Sequence, residues 1–225
     1  AAAAAASTAA NGLDAEGLPL ISTDTRKDER AKRGRFKPAK LQLQPDESQA
    51  LEVELAPFLA PSLRVLFFAK DFKKHLEAAD VLLRAIVVLF EALLSIIDLI
   101  YRWCTLRIME SNTSALVRIL EFLRAFLDLM DANHVRMSDY EAKLILPVLV
   151  EKSGHNIDNL KTLHKELFKK CCAVHAPAKV LGFIKDGLES KNGKTRVVCA
   201  DEIGSIIDRY GPGLYRPVAT APPSV

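Results

Sequence analysis

Residues 138–161 read SDYEAKLILPVLVEKSGHNIDNLK. Ser138-Asp139-Tyr140-Glu141 has the form of a capping box: a hydroxyl acceptor at the N-cap and, three residues on, a carboxylate that can reach back to the N-cap N–H. The apolar run behind it predicts a helix ending near Lys152. Ser153–Asp158 has the composition of a loop, and Asp158 is placed to cap a second helix running to about Val174. Two helices joined by a short polar turn form an antiparallel hairpin, so this stretch specifies a hairpin and not a strand pair.

The same punctuation recurs on both sides. Asp46 can cap a helix to about Ala56, where Pro57 stops it, and another runs from Ser62 to Ala69. Asp71 caps a third, Phe72 to about Val88, and a fourth spans roughly Glu91 to Met109. Ser111-Asn112-Thr113-Ser114 is a turn with a ready N-cap. The helix beyond it carries Leu116, Ile119, Leu120, Leu123, Phe126, Leu127 and Met130 on one face, in the 3-and-4 step of an amphipathic helix. Ala176-Pro177 opens a helix to about Glu189, Ser190–Lys194 is a loop, and a last helix runs from Thr195 to Tyr210, stopped by Gly211-Pro212.

The hairpins repeat. Pro147 lies 14 residues before Lys161, Gly182 lies 14 before Arg196, and Lys161 and Arg196 are 35 apart. A proline or small residue in the first helix and a basic residue just past the loop is the register of a HEAT repeat, with earlier pairs around Asp71 and Asn112 fitting a period of ~40 residues. A single pair cannot bury its apolar face alone; stacking pairs makes a continuous core and sets every intra-repeat loop on one edge. The fold class expected is therefore all-α, an α-solenoid of HEAT-type antiparallel hairpins. About four repeats fit before Gly211, so the stack is expected to be incomplete.

Composition agrees. Apolar residues make up 49% and charged residues 26% of the 225, with only 10 glycines. The net charge of +3, from 31 basic and 28 acidic residues, is too balanced to imply nucleic acid. The most apolar segment, Leu82–Trp103, is interrupted by Arg84, Glu91 and Asp98, so its uncharged runs fall far below the ~18 residues needed to span a bilayer. Spaced by seven, those three charges would share one polar stripe on a continuous helix. Trp103 is expected between helices. Residues 1–40 read as a disordered lead: an alanine tract, small polar residues, then the basic run Arg26–Lys37. The folded domain is expected over 41–210, and 211–225 is a Pro-rich tail.

Nothing in the chain has the form of a catalytic or cofactor site. The histidines are scattered without an H-E-x-x-H, Cys104, Cys171, Cys172 and Cys199 have neither disulfide-framework nor zinc spacing, and no glycine loop is built to cradle phosphate. The reading is that the chain is not an enzyme and uses no metal or cofactor; its cysteines are reduced thiols packed in helices.

The loops carry a more specific likeness. Lys70-Asp71-Phe72-Lys73-Lys74-His75, the turn at Asn112, the stretch Leu146–Asp158 and Ser190-Lys191-Asn192-Gly193-Lys194-Thr195-Arg196 together resemble a TOG domain of the microtubule polymerase family that includes ch-TOG and Mini spindles, most of all the fourth domain of the array. The likeness spans roughly residues 35–210. It implies that the loop edge binds αβ-tubulin or the microtubule lattice. Carried over by position, Phe72 takes the aromatic slot filled by tryptophan in the strongest binders, with Lys70, Lys73 and His75 around it. Asn112 falls in the second loop, His155, Asn156 and Lys161 in or beside the third, and Lys191, Asn192, Lys194 and Arg196 in the fourth. It further implies a monomeric module in a longer array, at microtubules and the spindle in the cytoplasm, without nucleic acid or membrane as partner. Residues 26–37 could meet acidic tubulin tails by charge. The alternative is a general HEAT scaffold using a helix face instead of the loops.

Overall fold

The computed structural model describes residues 26–33, 45–109, 112–211 and Leu214. The alanine-rich lead, residues 34–44 with the end of the basic run, Ser111, the rest of the Pro-rich tail and the side chain of Asp46 lie outside the described residues. The helices are α1 (Lys27–Arg33), α2 (Pro45–Leu55), α3 (Pro61–Phe68), α4 (Phe72–Ala85), α5 (Phe90–Ser95), α6 (Ile97–Ile108), α7 (Thr113–Ala132), α8 (Asp139–Glu151), α9 (Asp158–Val174), α10 (Pro177–Asp186) and α11 (Gly193–Tyr210), with a 3₁₀ turn over Gly187–Glu189. The all-α solenoid expected from the repeat spacing is what forms.

Two layers run side by side. The first helices of the hairpins, α6, α8 and α10, stack in order, with α2 and α3 at the start; the second helices, α4, α7, α9 and α11, stack behind them. The layers share one apolar core. Trp103 sits in it fully buried, its indole N–H donating to the Phe67 carbonyl at 2.9 Å and its ring 4.3 Å from that of Phe67. Thr105 Oγ1 donates to the Leu144 carbonyl at 3.0 Å, pinning α6 to α8.

Caps set the register. Asp71, Asn112 and Asn192 each accept a backbone N–H in the first turn of α4, α7 and α11, and Ser138 with Glu141 forms the full capping box of α8. Helix α9 differs from expectation: its N-cap is Ile157, with no side-chain cap, and Asp158 lies inside the first turn paired to Lys161 at 2.8 Å. Helix α11 ends where Gly211 adopts φ +47°, a conformation that suits glycine.

Three further sequence expectations change. The helix read over Glu91–Met109 breaks at Ile96, where φ −123° and ψ 17° leave the helical region and separate α5 from α6. The shared polar stripe therefore does not form: Arg84 and Glu91 are exposed, whereas Asp98 is fully buried. The lead is not structureless through residue 40, because Lys27–Arg33 forms α1 and docks on the body. Arg30 grips Asp98 with two bonds, Nε to Oδ2 at 2.7 Å and Nη2 to Oδ1 at 2.8 Å. Lys27 Nζ reaches Glu141 Oε1 at 2.9 Å. The fully buried Asp98 is thus paired with a cation 68 residues away in sequence.

The buried indole gives a direct test. Trp103→Ala is expected to lower unfolding stability by about 3–5 kcal/mol in urea denaturation followed by circular dichroism.

Candidate functional site

The intra-repeat loops 69–71, 152–157 and 187–192, and Asn112 at the start of α7, follow the first helix of each pair and so fall on one edge of the solenoid. At the first loop, Asp71 Oδ1 accepts the Lys73 N–H at 3.0 Å, and this cap turns the chain so that Phe72 starts α4 facing out. Phe72 is 38% exposed, with Lys70 and Lys73 exposed beside it. The ring therefore lies outside the core, with a cation on either side of it in the chain.

His75 does not join it. The ring is buried, with Nε2 2.7 Å from the Ala69 carbonyl and Arg107 Nη1 3.3 Å from Nδ1. Arg107 Nη1 lies closer still to Nε2, at 2.8 Å, so the ring is held between the Ala69 carbonyl and the Arg107 guanidinium. His75 thus ties the first loop to α6, and its placement as a surface contact is corrected. Asn112 is half-buried and caps α7, its Oδ1 accepting the Ala115 N–H at 3.0 Å.

The third and fourth loops are stitched together. Asn192 Oδ1 caps α11 through the Lys194 N–H at 3.0 Å while its Nδ2 donates to the Gly154 carbonyl at 3.3 Å. Thr195 Oγ1 donates to the Glu151 carbonyl at 3.1 Å, and Lys194 Nζ donates to Asn156 Oδ1. The approach leaves no space for a side chain at position 154: a Cβ there would lie 2.4 Å from the Thr195 nitrogen. Arg196 turns back into its own loop, Nη1 donating to the Ser190 carbonyl at 2.8 Å and that of Lys191 at 3.3 Å. Lys161 is engaged with Asp158, whose carboxyl the lysine hydrogen bond holds below its ordinary range. The outward groups of this platform are Lys191, the exposed parts of Asn156, Asn192 and Lys194, and Ile157. Ile157, 44% exposed, adds an apolar side chain to this surface that sequence reading missed. An isoleucine in a loop ordinarily signals core, and only the absence of a neighbour over it reveals the exception.

Beneath the third loop, the His155 and His164 rings lie with centroids 5.9 Å apart and planes tilted by 31°. His164 is fully buried and Nδ1–H donates to the Leu160 carbonyl at 2.8 Å. A second proton would have to sit on Nε2, which is buried without a hydrogen-bond partner. Burial is the main force lowering the His164 pKa to about 4, and burial followed by the Lys152 charge lowers that of His155. The four cysteines are free and buried, and burial pushes each thiol up, Cys172 to about 11. Among the described residues no helix is long and apolar enough to cross a membrane.

No family model matches the chain. Protein MOR1 of Arabidopsis thaliana is 32% identical over 170 residues, 76% of this chain and 9% of that protein. The chain spans a tenth or less of the length of the curated relatives it matches. A solved TOG domain of Caenorhabditis elegans Zyg9 is 32% identical and superposes with a TM-score of 0.78 over 85% of this chain and 74% of that one. A structure from work on TOG–tubulin binding specificity in microtubule dynamics and mitotic spindle formation superposes with a TM-score of 0.82 over 88% of this chain and 82% of that one, at 25% identity.

Two outcomes follow from the third loop. Gly154→Ala must push the two loops apart and is expected to destabilise by about 1–3 kcal/mol, with amide exchange rising at Asn192–Thr195 before the rest of α11. The folded state holds His164 neutral while the unfolded chain protonates near its ordinary value. Stability is therefore full above about pH 6.5 and is lost as pH falls toward 4, on the order of 2 kcal/mol by pH 5. His164→Leu should flatten that part of a melting-temperature profile.

Proposed function

This chain belongs to the TOG-domain family, and from that premise we propose that it is a tubulin-binding module of a microtubule polymerase that engages αβ-tubulin or the microtubule lattice through its loop edge. The observation that carries the reading is the exposed Phe72 between Lys70 and Lys73, on the same edge as the platform bearing Asn156, Ile157, Lys191 and Lys194. The partner such an edge suits is acidic, with an apolar recess for the ring. Each exposed charge contact contributes ~0–1 kcal/mol. The ring contributes more once desolvated, and several cations acting together favour fast, salt-sensitive association.

In this reading the domain performs no chemistry. It occupies the fourth position of a longer array, acts as a monomer within it, and contributes to plus-end growth and spindle organisation at cytoplasmic microtubules. Preference for one tubulin curvature over another would arise as a difference in affinity between states, the rigid stitched platform and the separate Phe72 corner reading two points of one surface. The basic segment Arg26–Lys37 adds a second contact, to acidic tubulin tails. The helix-face scaffold has less support. On the face of α4, α7 and α9 the charges pair with each other, Arg118 with Asp80 at 2.6 Å and Arg124 with Glu166 at 2.9 Å, and so are engaged within the domain.

Co-sedimentation with microtubules and gel filtration with free tubulin test the proposal. Phe72→Glu combined with Lys191→Glu should weaken binding about thirtyfold, the equivalent of ~2 kcal/mol, with the helical spectrum unchanged. Unaltered binding by the folded double variant would remove the loop edge from the account.

A further inference from the structure

Helix α1 has the sequence KDERAKR, without one large apolar residue. Seven residues of that composition are too short to hold a helix in water, and they offer no apolar stripe to bury. What holds α1 is charge. Arg30 makes its two bonds to Asp98 and a third to the Ser95 carbonyl at 3.2 Å. Lys27 bridges Glu141 and the Leu94 carbonyl, at 2.9 and 3.2 Å. The Arg26 guanidinium lies 5.9 Å above the Phe58 ring. The carboxylates it meets are side chains of the first turns of α6 and α8, and Glu141 keeps its other oxygen on the Ser138 N–H at 2.7 Å. Glu141 therefore stays in its capping box whether or not Lys27 is present. Asp98 and Glu141 are the carboxylates that Arg30 and Lys27 meet directly.

We propose that α1 is an electrostatic latch that folds and docks as one event and releases without unfolding the body: docked, it withholds Lys27 and Arg30 from acidic polypeptides, and released, it presents them. This deepens the acidic-tail contact suggested above and rests on it. The same basic residues that would recognise a glutamate-rich strand are here occupied by the domain's own carboxylates, so the two compete. Any acidic partner must outbid Asp98 and Glu141, and added salt opens the latch while also screening the partner.

The test uses the full chain. Asp98→Asn keeps the shape of the socket and removes its charge. Trypsin cleavage after Lys27 and Arg30, followed by mass spectrometry, should quicken about tenfold in this variant, and likewise in the unaltered chain between about 0.05 and 0.5 M NaCl. At low salt the variant should bind a labelled oligo-glutamate peptide about fivefold more tightly than the unaltered chain does. Circular dichroism confirms that the body is folded; if the variant is not folded, the salt series on the unaltered chain decides. Cleavage indifferent to both salt and Asp98→Asn overturns the latch, as does faster cleavage without any gain in peptide binding. A free peptide of residues 26–37 separates the two readings. If it does not bind oligo-glutamate, the acidic-partner reading fails and the latch falls with it. If it binds while the folded variant gains nothing, the latch alone is wrong.

Discussion

Helix α7 cannot be satisfied by one neighbour. Its buried side chains, Ala115, Leu116, Ile119, Leu120, Phe122, Leu123, Phe126, Leu127 and Met130, cover a stripe far wider than a two-helix seam. It packs on α4 on one side, α9 on the other and α6 across the layer. The demand to bury that width forces the hairpins side by side, and the rest of the architecture follows. Once the second helices are aligned, their N-termini are aligned, and the loops that precede them have only one edge on which to lie.

That edge then faces a conflict between building and binding. Each loop must supply caps for orphan helix N–H groups, and it uses the polar residues that would otherwise meet a partner. Asn192 is committed twice, to α11 and to Gly154; Arg196 closes its own loop; Lys161 holds Asp158; His75 anchors the first turn. These side chains give the edge its rigidity. The ones left outward, Lys70, Phe72, Lys73, Ile157 and Lys191, give it its chemistry. The division is physical: a side chain that satisfies buried backbone groups cannot be withdrawn to meet a partner without exposing them.

The buried charges follow a different logic. Asp98 and Glu141 serve first turns of α6 and α8, where negative charge is favoured by the helix dipole, and both accept cations from α1. His164 shows the opposite solution, a titratable ring kept neutral because nothing near Nε2 could hold its second proton.

Helix existence, hairpin pairing and the position of the loop edge were legible in the residues, because they depend on neighbours three and four positions apart and on caps adjacent in the chain. The capping box at Ser138, the Asn112 and Asp71 caps and the amphipathic face of α7 all have that local character. The break at Ile96, the burial of Asp98 and the docking of α1 do not. Arg30 and Asp98 are 68 residues apart, and Lys27 and Glu141 are 114 apart. Nothing in the spacing of a basic run says which carboxylate it will meet. Sequence alone thus established a stack of hairpins with a basic, aromatic edge. Only the tertiary structure decided that Lys27 and Arg30 are engaged, because the carboxylates that hold them come from chain that is distant in sequence and folds against them.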